Sequence, residues 1–332
     1  MKALFIGGTG IISSACVEQA VARGIDLVLL NRGNATRPIP ATVPMLQGDI
    51  RDRDAVSNLL KDMTFDVVVN FVAFTPEHVE TDLALFRERT KQYIFISSAS
   101  AYAKPPVNWL TTESTPLRNP YWAYSRDKIA CEDRLMLAYC EEGFPVTIVR
   151  PSHTYDETSL PLQGKYTAIH RMRTGKPVIV HGDGTSLWTL THHRDFARGF
   201  VGLLGNPRAL GEAVHITSDE VLTWNQITAI IADAAGAPAP QIVPIPSERI
   251  AAYDANWGAG LLGDKAHCMV FDNTKIKRLV PEYVARIPFH QGAAEIIAWY
   301  DSHPAARKVD ERLDQLMDTM IAAYERAGPD QE

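Results

Sequence analysis

The stretch that decides the fold is MKALFIGGTGIIS, residues 1–13. A short apolar run leads directly into three glycines, and residues 11–21 then follow a pattern typical of a helix. A strand that turns through glycines into a helix presents free backbone amides and the positive end of the helix dipole to a phosphate. The stretch therefore predicts a dinucleotide site rather than an ordinary turn, although Ser13 stands where a third glycine is usual.

Composition narrows the class of partner. The 332 residues carry a net charge of −6 and 46% hydrophobic residues, which is ordinary for a globular protein. Because no basic run is present, we expect neither a nucleic-acid partner nor an anionic membrane, and no apolar stretch is long enough to span a bilayer. The four cysteines lack metal-binding or CxxC spacing, so we expect reduced thiols and a cytoplasmic location.

Apolar runs alternate with helical patterns through the first half of the chain. The runs at residues 27–30, 43–47, 67–71, 93–97 and 146–150 are continuous, as in a parallel sheet covered on both faces. Helices are predicted between them, at residues 54–61, at residues 77–89 and from near Tyr124. The predicted fold class is therefore α/β, a doubly wound, Rossmann-like parallel sheet with a smaller C-terminal substrate-binding region.

The second half has longer loops and more proline and glycine. Apolar runs at residues 178–180 and 213–216 either return to the main sheet or form a small second one. We predict a dinucleotide-binding domain over residues 1–150, with returning segments within about 178–218. Residues 151–177 and 219–332 then form the substrate-binding region. An amphipathic helix over residues 310–327 is expected to pack on the body or on a second subunit.

Three polar side chains indicate chemistry at the carboxyl edge of the sheet. Ser98 follows a predicted central strand, and Tyr124 and Lys128 are four residues apart on one helix face. A lysine near a tyrosine lowers the pKa of the phenol, and a serine hydroxyl can hold a substrate oxygen. The three residues predict proton transfer from an alcohol while its hydride passes to nicotinamide. A Tyr-xxx-Lys spacing alone has little weight in a chain with 11 tyrosines.

Taken together, these segments resemble the extended short-chain dehydrogenases/reductases, the NAD-dependent epimerase/dehydratase family. The matching segments are GGTGIIS at 7–13, GDI at 48–50, SSASAY at 97–102, YSRDK at 124–128, RPSHTYD at 150–156 and residues 182–200. The resemblance implies an enzyme with Ser98, Tyr124 and Lys128 as catalytic residues, and a homodimer formed through the helix that contains Tyr124. It implies cofactor contacts from Gly7, Thr9, Gly10, Ile11, Ile12, Asn31, Arg32, Asp49, Ile50, Phe71, Val72, Ala73, Lys128, Pro151 and His153. We expect substrate contacts from Ser98, Ser100, Tyr124, His153 and Trp188.

Departures from the family pattern narrow the chemistry. Ala99 and Ser100 stand where sugar 4,6-dehydratases carry an acid, so an epimerase or a simple oxidoreductase is favoured. Trp188 stands where nucleotide-sugar epimerases place an arginine on the pyrophosphate. We therefore expect a substrate without a nucleoside diphosphate. If a nucleotide sugar binds instead, its phosphates would need another cation: Arg171, Arg173, Arg194 or Lys275.

The sequence also bears on the choice between NAD and NADP and on the roles of three histidines. Asn31 replaces the acidic residue that would bind the ribose of NAD, and Arg32 follows it, which favours NADP unless Arg32 is a plain turn residue. His153 is either a substrate ligand or a loop histidine bonded to backbone. His192 and His193 are adjacent, and we expect no metal there.

The sequence favours an NAD(P)-dependent epimerase or oxidoreductase acting on a sugar or sugar-like polyol. An NADPH-dependent ketone reductase is the alternative, and a non-catalytic nucleotide-sensing or RNA-binding relative is a third class. An epimerase recycles its cofactor whereas a reductase consumes it, so cofactor release separates the first two.

Overall fold

The computed structural model describes residues 1–34 and 37–326. Fifteen strands occur in these residues: β1 (Lys2–Ile6), β2 (Asp26–Asn31), β3 (Met45–Gln47), β4 (Val67–Asn70), β5 (Tyr93–Ile96), β6 (Leu110–Thr111), β7 (Val146–Pro151), β8 (His153–Tyr155), β9 (Val178–His181), β10 (Leu187–Trp188), β11 (Leu190–His192), β12 (Ala213–Ile216), β13 (Leu222–Thr223), β14 (Ile242–Ile245) and β15 (Val270–Phe271).

The same residues contain twelve α-helices, several of them short. They are α1 (Ile11–Ala22), α2 (Arg53–Leu59), α3 (Pro76–Phe86), α4 (Ala123–Glu142), α5 (Tyr166–Arg173), α6 (His193–Val201), α7 (Trp224–Ala234), α8 (Ser247–Tyr253), α9 (Ala255–Gly260), α10 (Thr274–Leu279), α11 (Phe289–Ser302) and α12 (Glu311–Arg326). The elements predicted in the first half are present, with ends that differ by a few residues.

Seven parallel strands form the central sheet, in the order β12-β7-β5-β4-β1-β2-β3. Side chains alternate between its faces, so that Phe5 packs toward α1 and α6 while Leu4 packs toward α3 and α4. Both faces are thus covered by helices, which confirms the predicted doubly wound, Rossmann-like fold. The strand order runs outward from β1 in both directions, through β2 on one side and β4 on the other. In sheets of this kind, ligands bind at the carboxyl ends of the strands where the order changes direction.

The two apolar runs of the second half have different positions. Residues 213–216 extend the central sheet as its edge strand β12, pairing with β7. Residues 178–181 instead pair in parallel with β14 in a separate two-stranded sheet. The second half therefore both completes the main sheet and builds small sheets of its own. The predicted division into two domains stays a prediction.

The C-terminal helix packs on the body of the same chain. Met317, Met320 and Ile321 of α12 are buried, the last two against residues of α8 and β14, which accounts for the apolar stripe predicted from the sequence. Residue 327, the last of the predicted helix, lies outside the described residues. No helix in the described part of the chain combines the length and the hydropathy that a bilayer crossing requires.

Candidate active site

The first turn is held by a serine in place of a glycine. The hydroxyl of Ser13 accepts a hydrogen bond from the amide of Gly10 at 2.7 Å and donates to the carbonyl of Gly7 at 2.9 Å. Gly7 has a φ of +87°, and a Cβ there would lie 2.6 Å from Cγ1 of Val72. The turn therefore requires glycine at position 7 and uses Ser13 as a brace.

A cavity of about 480 Å³ opens above this turn and the amino end of α1. We call it the cofactor cavity. It is lined by eleven of the predicted cofactor residues: Gly7, Thr9, Gly10, Ile11, Ile12, Asn31, Arg32, Asp49, Ile50, Phe71 and Val72. The other four predicted residues do not line this cavity. Pro151 and His153 line a second cavity, which is described below. Lys128 is buried and donates a hydrogen bond to the carbonyl of Ala73.

The walls of the cofactor cavity fit a dinucleotide. The side-chain amide Nδ2 of Asn31 is buried and has no hydrogen-bond partner among the described residues. Asn34, Arg51 and Phe74 also line the cavity, although the sequence analysis did not select them. Arg51 directly follows the GDI segment, so that motif could have indicated it. The turn would hold the pyrophosphate, and Asn31, Arg32 and Asp49 the adenosine end.

A buried carboxyl supports the strand end behind this cavity. The amide of Val72 donates to Oδ1 of Asn70 at 2.7 Å, and Nδ2 of Asn70 donates to Oδ2 of Asp82 at 2.7 Å. The hydroxyl of Tyr93 also donates to Asp82, at 2.5 Å. Burial raises the pKa of Asp82 to about 7, and its second oxygen, Oδ1, has no partner among the described residues.

Asp82→Asn is expected to stabilise the protein at alkaline pH. Because the pKa of Asp82 is higher in the folded chain than in the unfolded chain, stability is lost as pH rises from about 4 through about 7, by at most about 1.4 kcal/mol per pH unit. The amide of the substituted side chain cannot ionise. The unfolding free energy of the variant, measured in urea, should therefore increase relative to that of wild type between pH 5 and pH 8. Asp66→Asn is the control: the hydrogen bond from Lys91 lowers the pKa of Asp66, so this carboxyl is ionised throughout the range and its substitution should change stability by an amount that does not vary between pH 5 and pH 8. An Asp82→Asn gain that does not change with pH would contradict the assignment.

The hydroxyls predicted to act on the substrate are brought together beyond β5. The Oγ atoms of Ser98 and Ser100 lie 2.9 Å apart, and the hydroxyl of Ser125 donates to Ser100 at 2.7 Å. Burial raises the pKa of Tyr124, and a hydrogen bond with Ser98 opposes that rise. Ser98 and Tyr124 therefore share one wall, as predicted from their positions after β5 and on α4.

Lys128 lies behind Tyr124 on the same helix face. Its Nζ donates to the carbonyls of Ala73 and Ile96, at 2.6 and 2.7 Å, and lies 5.8 Å from the ring centre of Tyr124. Burial lowers the pKa of Lys128 to about 8. The predicted lowering of the Tyr124 pKa by Lys128 is not found, because the ammonium bonds two carbonyls and burial dominates at the phenol.

A second cavity of about 270 Å³ meets the cofactor cavity at Thr154. We call it the substrate cavity. It is lined by all five predicted substrate residues: Ser98, Ser100, Tyr124, His153 and Trp188. It is also lined by residues that the sequence analysis missed, among them Trp122, Asp264, Lys265, Met269 and Phe271. Most of these come from a segment far from Tyr124 in the chain, with no motif that marks them.

His153 has its proton position set by a tryptophan. Trp188 Nε1 donates to Nδ1 of His153 at 3.0 Å, so the neutral ring carries its proton on Nε2. Burial lowers the pKa of His153 to about 3, with the charge of Lys265 acting in the same direction. His153 is therefore a neutral hydrogen-bond donor. Trp188 itself is only 3% exposed and packs against Trp224, so it forms part of the wall.

The cations considered as substitutes for a pyrophosphate arginine are engaged elsewhere. None of them lines the substrate cavity, and each is bound to a carboxylate: Arg171 to Asp314, Arg173 to Asp301, Arg194 to Glu295 and Lys275 to Glu212. No group of three or more histidine, cysteine or acidic side chains is arranged to hold a metal within residues 1–34 and 37–326.

The model of the NAD dependent epimerase/dehydratase family matches residues 3–217 of this chain. The chain belongs to the NAD-dependent epimerase/dehydratase family. The match runs from the glycine turn through β12, and so includes both the cofactor cavity and the Ser98-Tyr124-Lys128 wall. It confirms the predicted family and the predicted class of enzyme, the epimerase/dehydratase type of short-chain dehydrogenase/reductase.

Relatives by sequence have diverse activities. The chain is 29% identical over 258 residues to the chloroplast stem-loop binding protein of 41 kDa b of Arabidopsis thaliana, covering 73% of this chain and 65% of that protein, less than two thirds of its length. It is 26% identical over 301 residues to the 2'-dehydrokanamycin reductase of Streptomyces kanamyceticus, covering 86% and 81%. It is 27% identical over 340 residues to a dTDP-glucose 4,6-dehydratase of Actinoplanes, covering 90% and 98%.

Solved structures share the fold. An epimerase from Methanothermobacter thermautotrophicus has a TM-score of 0.76 at 17% identity, covering 92% of this chain and 94% of that chain. The UDP-glucose 4-epimerase of Bifidobacterium longum, solved with NAD+ and UDP, has a TM-score of 0.71 at 18% identity, covering 92% and 100%. At these identities, the likeness shows the fold alone.

Proposed function

We propose that this family member is an NAD(P)-dependent epimerase or oxidoreductase that acts on a secondary alcohol or ketone of a sugar-like substrate. The observation that carries the proposal is the position of Ser98 and Tyr124 on a cavity that meets the cofactor cavity at Thr154. When bound, the nicotinamide cofactor accepts or supplies a hydride. The chain itself must then bind one oxygen and move one proton.

The residues divide that task between them. The hydroxyl of Ser98 holds the substrate oxygen, while the hydroxyl of Tyr124 takes its proton or returns it. Lys128 has a pKa of about 8, so it keeps most of its positive charge near neutral pH. Its ammonium bonds the carbonyls of Ala73 and Ile96 and so holds α4 in place behind Tyr124. His153 offers Nε2–H to a second substrate oxygen, and its low pKa keeps it a neutral donor across the neutral range.

A ketone reductase is the second candidate, and the similarity to 2'-dehydrokanamycin reductase favours it. A recycling epimerase should purify with a bound nicotinamide cofactor, whereas a reductase should consume added NADPH in proportion to product. Mass spectrometry of the purified protein, followed by a cofactor-consumption assay with substrate, separates the two.

A non-catalytic RNA-binding role is the rival from another class, given the similarity to the stem-loop binding protein. The net charge of −6 and the position of Ser98 and Tyr124 on the substrate cavity argue against it. RNA binding that survives at physiological salt, combined with no turnover on any ketone or alcohol tested, would favour the rival.

Arg32→Ala is expected to remove a preference for NADP. Arg32 lines the cofactor cavity next to Asn31, and β2 does not end in an acidic residue that would repel a 2′-phosphate. We expect NADP to bind about tenfold more tightly than NAD, the size of one charge-assisted hydrogen bond, and equal affinities in the variant. Calorimetry with both cofactors measures this. Arg53→Ala, at an exposed arginine that does not line the cofactor cavity, is the control. Equal affinities in wild type would show that Arg32 is a turn residue.

We also propose a cytoplasmic homodimer formed through α4. Leu137 and Tyr139 on this helix are 47% and 37% exposed, and all four cysteines are unpaired thiols. Sedimentation velocity of wild type and of a Leu137→Glu variant tests the interface. A monomer in both, at micromolar concentration, would refute it.

A further inference from the structure

A third cavity of about 320 Å³ continues the substrate cavity away from the cofactor. We call it the distal cavity. The two cavities share Trp122, His153 and Lys265, and the distal one adds Trp224 and Trp257 to its walls. A substrate can therefore place its reacting carbon at Ser98 and extend a second ring between tryptophan faces, which suit sugar and aromatic rings.

One charged side chain lines the distal cavity among the described residues. Lys265 is the only lysine or arginine among its described lining residues, and no aspartate or glutamate of the described chain lines it. The two histidines of the lining are neutral near pH 7, because burial lowers the pKa of His153 to about 3 and that of His181 to about 4. The cavity therefore carries one positive charge.

The backbone of Lys265 is held in place, while its ammonium has no hydrogen-bond or ion-pair partner among the described residues. Leu261–Lys265 form a π-helical turn, a feature common at functional sites. The carbonyl of Lys265 accepts from Nε2 of His181 at 2.8 Å and from Nε1 of Trp224 at 3.1 Å. Its Nζ lies 5.8 Å from the ring centre of Trp122 and forms no hydrogen bond or ion pair with any residue in the described ranges.

The neighbouring acid does not neutralise this charge. Asp264 lines the substrate cavity, but its Oδ1 lies 3.7 Å from Nζ of Lys104, a buried lysine outside both cavities. Lys104 and Asp264 thus balance each other. The half-buried ammonium of Lys265 is left to be paired by a ligand.

We propose that Lys265 binds a single anionic group, a carboxylate or a phosphate, carried by the part of the substrate that occupies the distal cavity. The inference deepens the proposed function and rests on it for the position of the reacting carbon. One ammonium balances the single charge of a carboxylate and most of the charge of a phosphate monoester, which is about −1.5 to −2 near pH 7. His153 lines the same two cavities as Lys265, and its Nε2–H is a second donor for the anion.

The test uses matched ligands that differ only in charge. The probes are 4-nitrophenyl β-D-glucoside, the corresponding glucuronide and the corresponding 6-phosphate. Each is titrated into the whole protein, and quenching of tryptophan fluorescence reports binding, because tryptophans line the distal cavity. We expect the charged probes to bind about tenfold more tightly than the glucoside, as for one charge-assisted hydrogen bond. The tighter of the two shows whether the anion is a carboxylate or a phosphate.

Variants assign the preference to Lys265. Lys265→Met should bind all three probes equally, and Lys265→Arg should keep the preference. Lys61→Met, an exposed lysine outside the cavities, should behave as wild type. Equal affinities in wild type, or no binding of any probe, would overturn the proposal, as would a preference that survives in Lys265→Met. UDP bound more tightly than the charged probes would overturn the single-anion assignment. Because binding is measured without turnover, failure of the Ser98-Tyr124-Lys128 chemistry would not change these outcomes.

Discussion

Tyr124→Phe should reduce turnover by about two or more orders of magnitude, the size of general acid–base effects, while leaving folding and cofactor affinity unchanged. The variant keeps the ring that packs beside Trp122 and removes only the hydroxyl that faces Ser98. Steady-state kinetics, thermal unfolding and cofactor titration measure the three properties. Since burial raises the pKa of Tyr124, the rate of alcohol oxidation in wild type should also rise toward alkaline pH.

The control for this variant is Tyr121→Phe. Tyr121 lies three residues earlier, is 45% exposed and lines neither the cofactor cavity nor the substrate cavity. It should retain wild-type turnover. Wild-type turnover in Tyr124→Phe, on any substrate that the enzyme accepts, would remove Tyr124 from the mechanism.

Glu132→Ala should cost about 3–5 kcal/mol of unfolding free energy, because it leaves a buried guanidinium without its counter-ion. Glu132 follows Lys128 by one turn of α4, and Oε2 accepts from Nη2 of Arg150 at 2.5 Å. Both side chains are more than 90% buried, and the hydroxyl of Ser97 donates to the same carboxylate. Glu132 thereby ties α4 to β7 and to the end of β5, and residues on or just after all three elements line the substrate cavity.

Urea unfolding of two further variants separates this effect from ordinary ion-pair loss. Glu80→Ala removes an exposed partner of Arg134 and should cost about 1 kcal/mol or less. A double change, Glu132→Leu with Arg150→Met, should recover much of the loss, because apolar residues of similar volume replace buried ion pairs well. A loss in Glu132→Ala no larger than that in Glu80→Ala would contradict the account.

The sequence by itself determined the central sheet and most of the cofactor cavity. The positive φ at Gly7 and the hydrogen bonds from Ser13 are local properties of residues 7–13, although the approach of Val72 to Gly7 is a tertiary contact. Tyr124 and Lys128 are likewise positioned by a single helix, whose period brings residues four apart onto one face. Continuous apolar runs can be buried only in a sheet covered on both sides, so their fold class followed from hydrophobicity.

Only the tertiary structure decided the charge and shape of the substrate site. Lys265 and Asp264 reach the cavity from a π-helical turn held by His181 and Trp224, contacts that span 84 and 41 residues of chain. The pKa of Tyr124 is raised by burial, and the lysine one turn away does not lower it. Local spacing specifies backbone turns and helix faces. Desolvation and long-range pairing depend on which distant segments pack together, and no short motif contains that information.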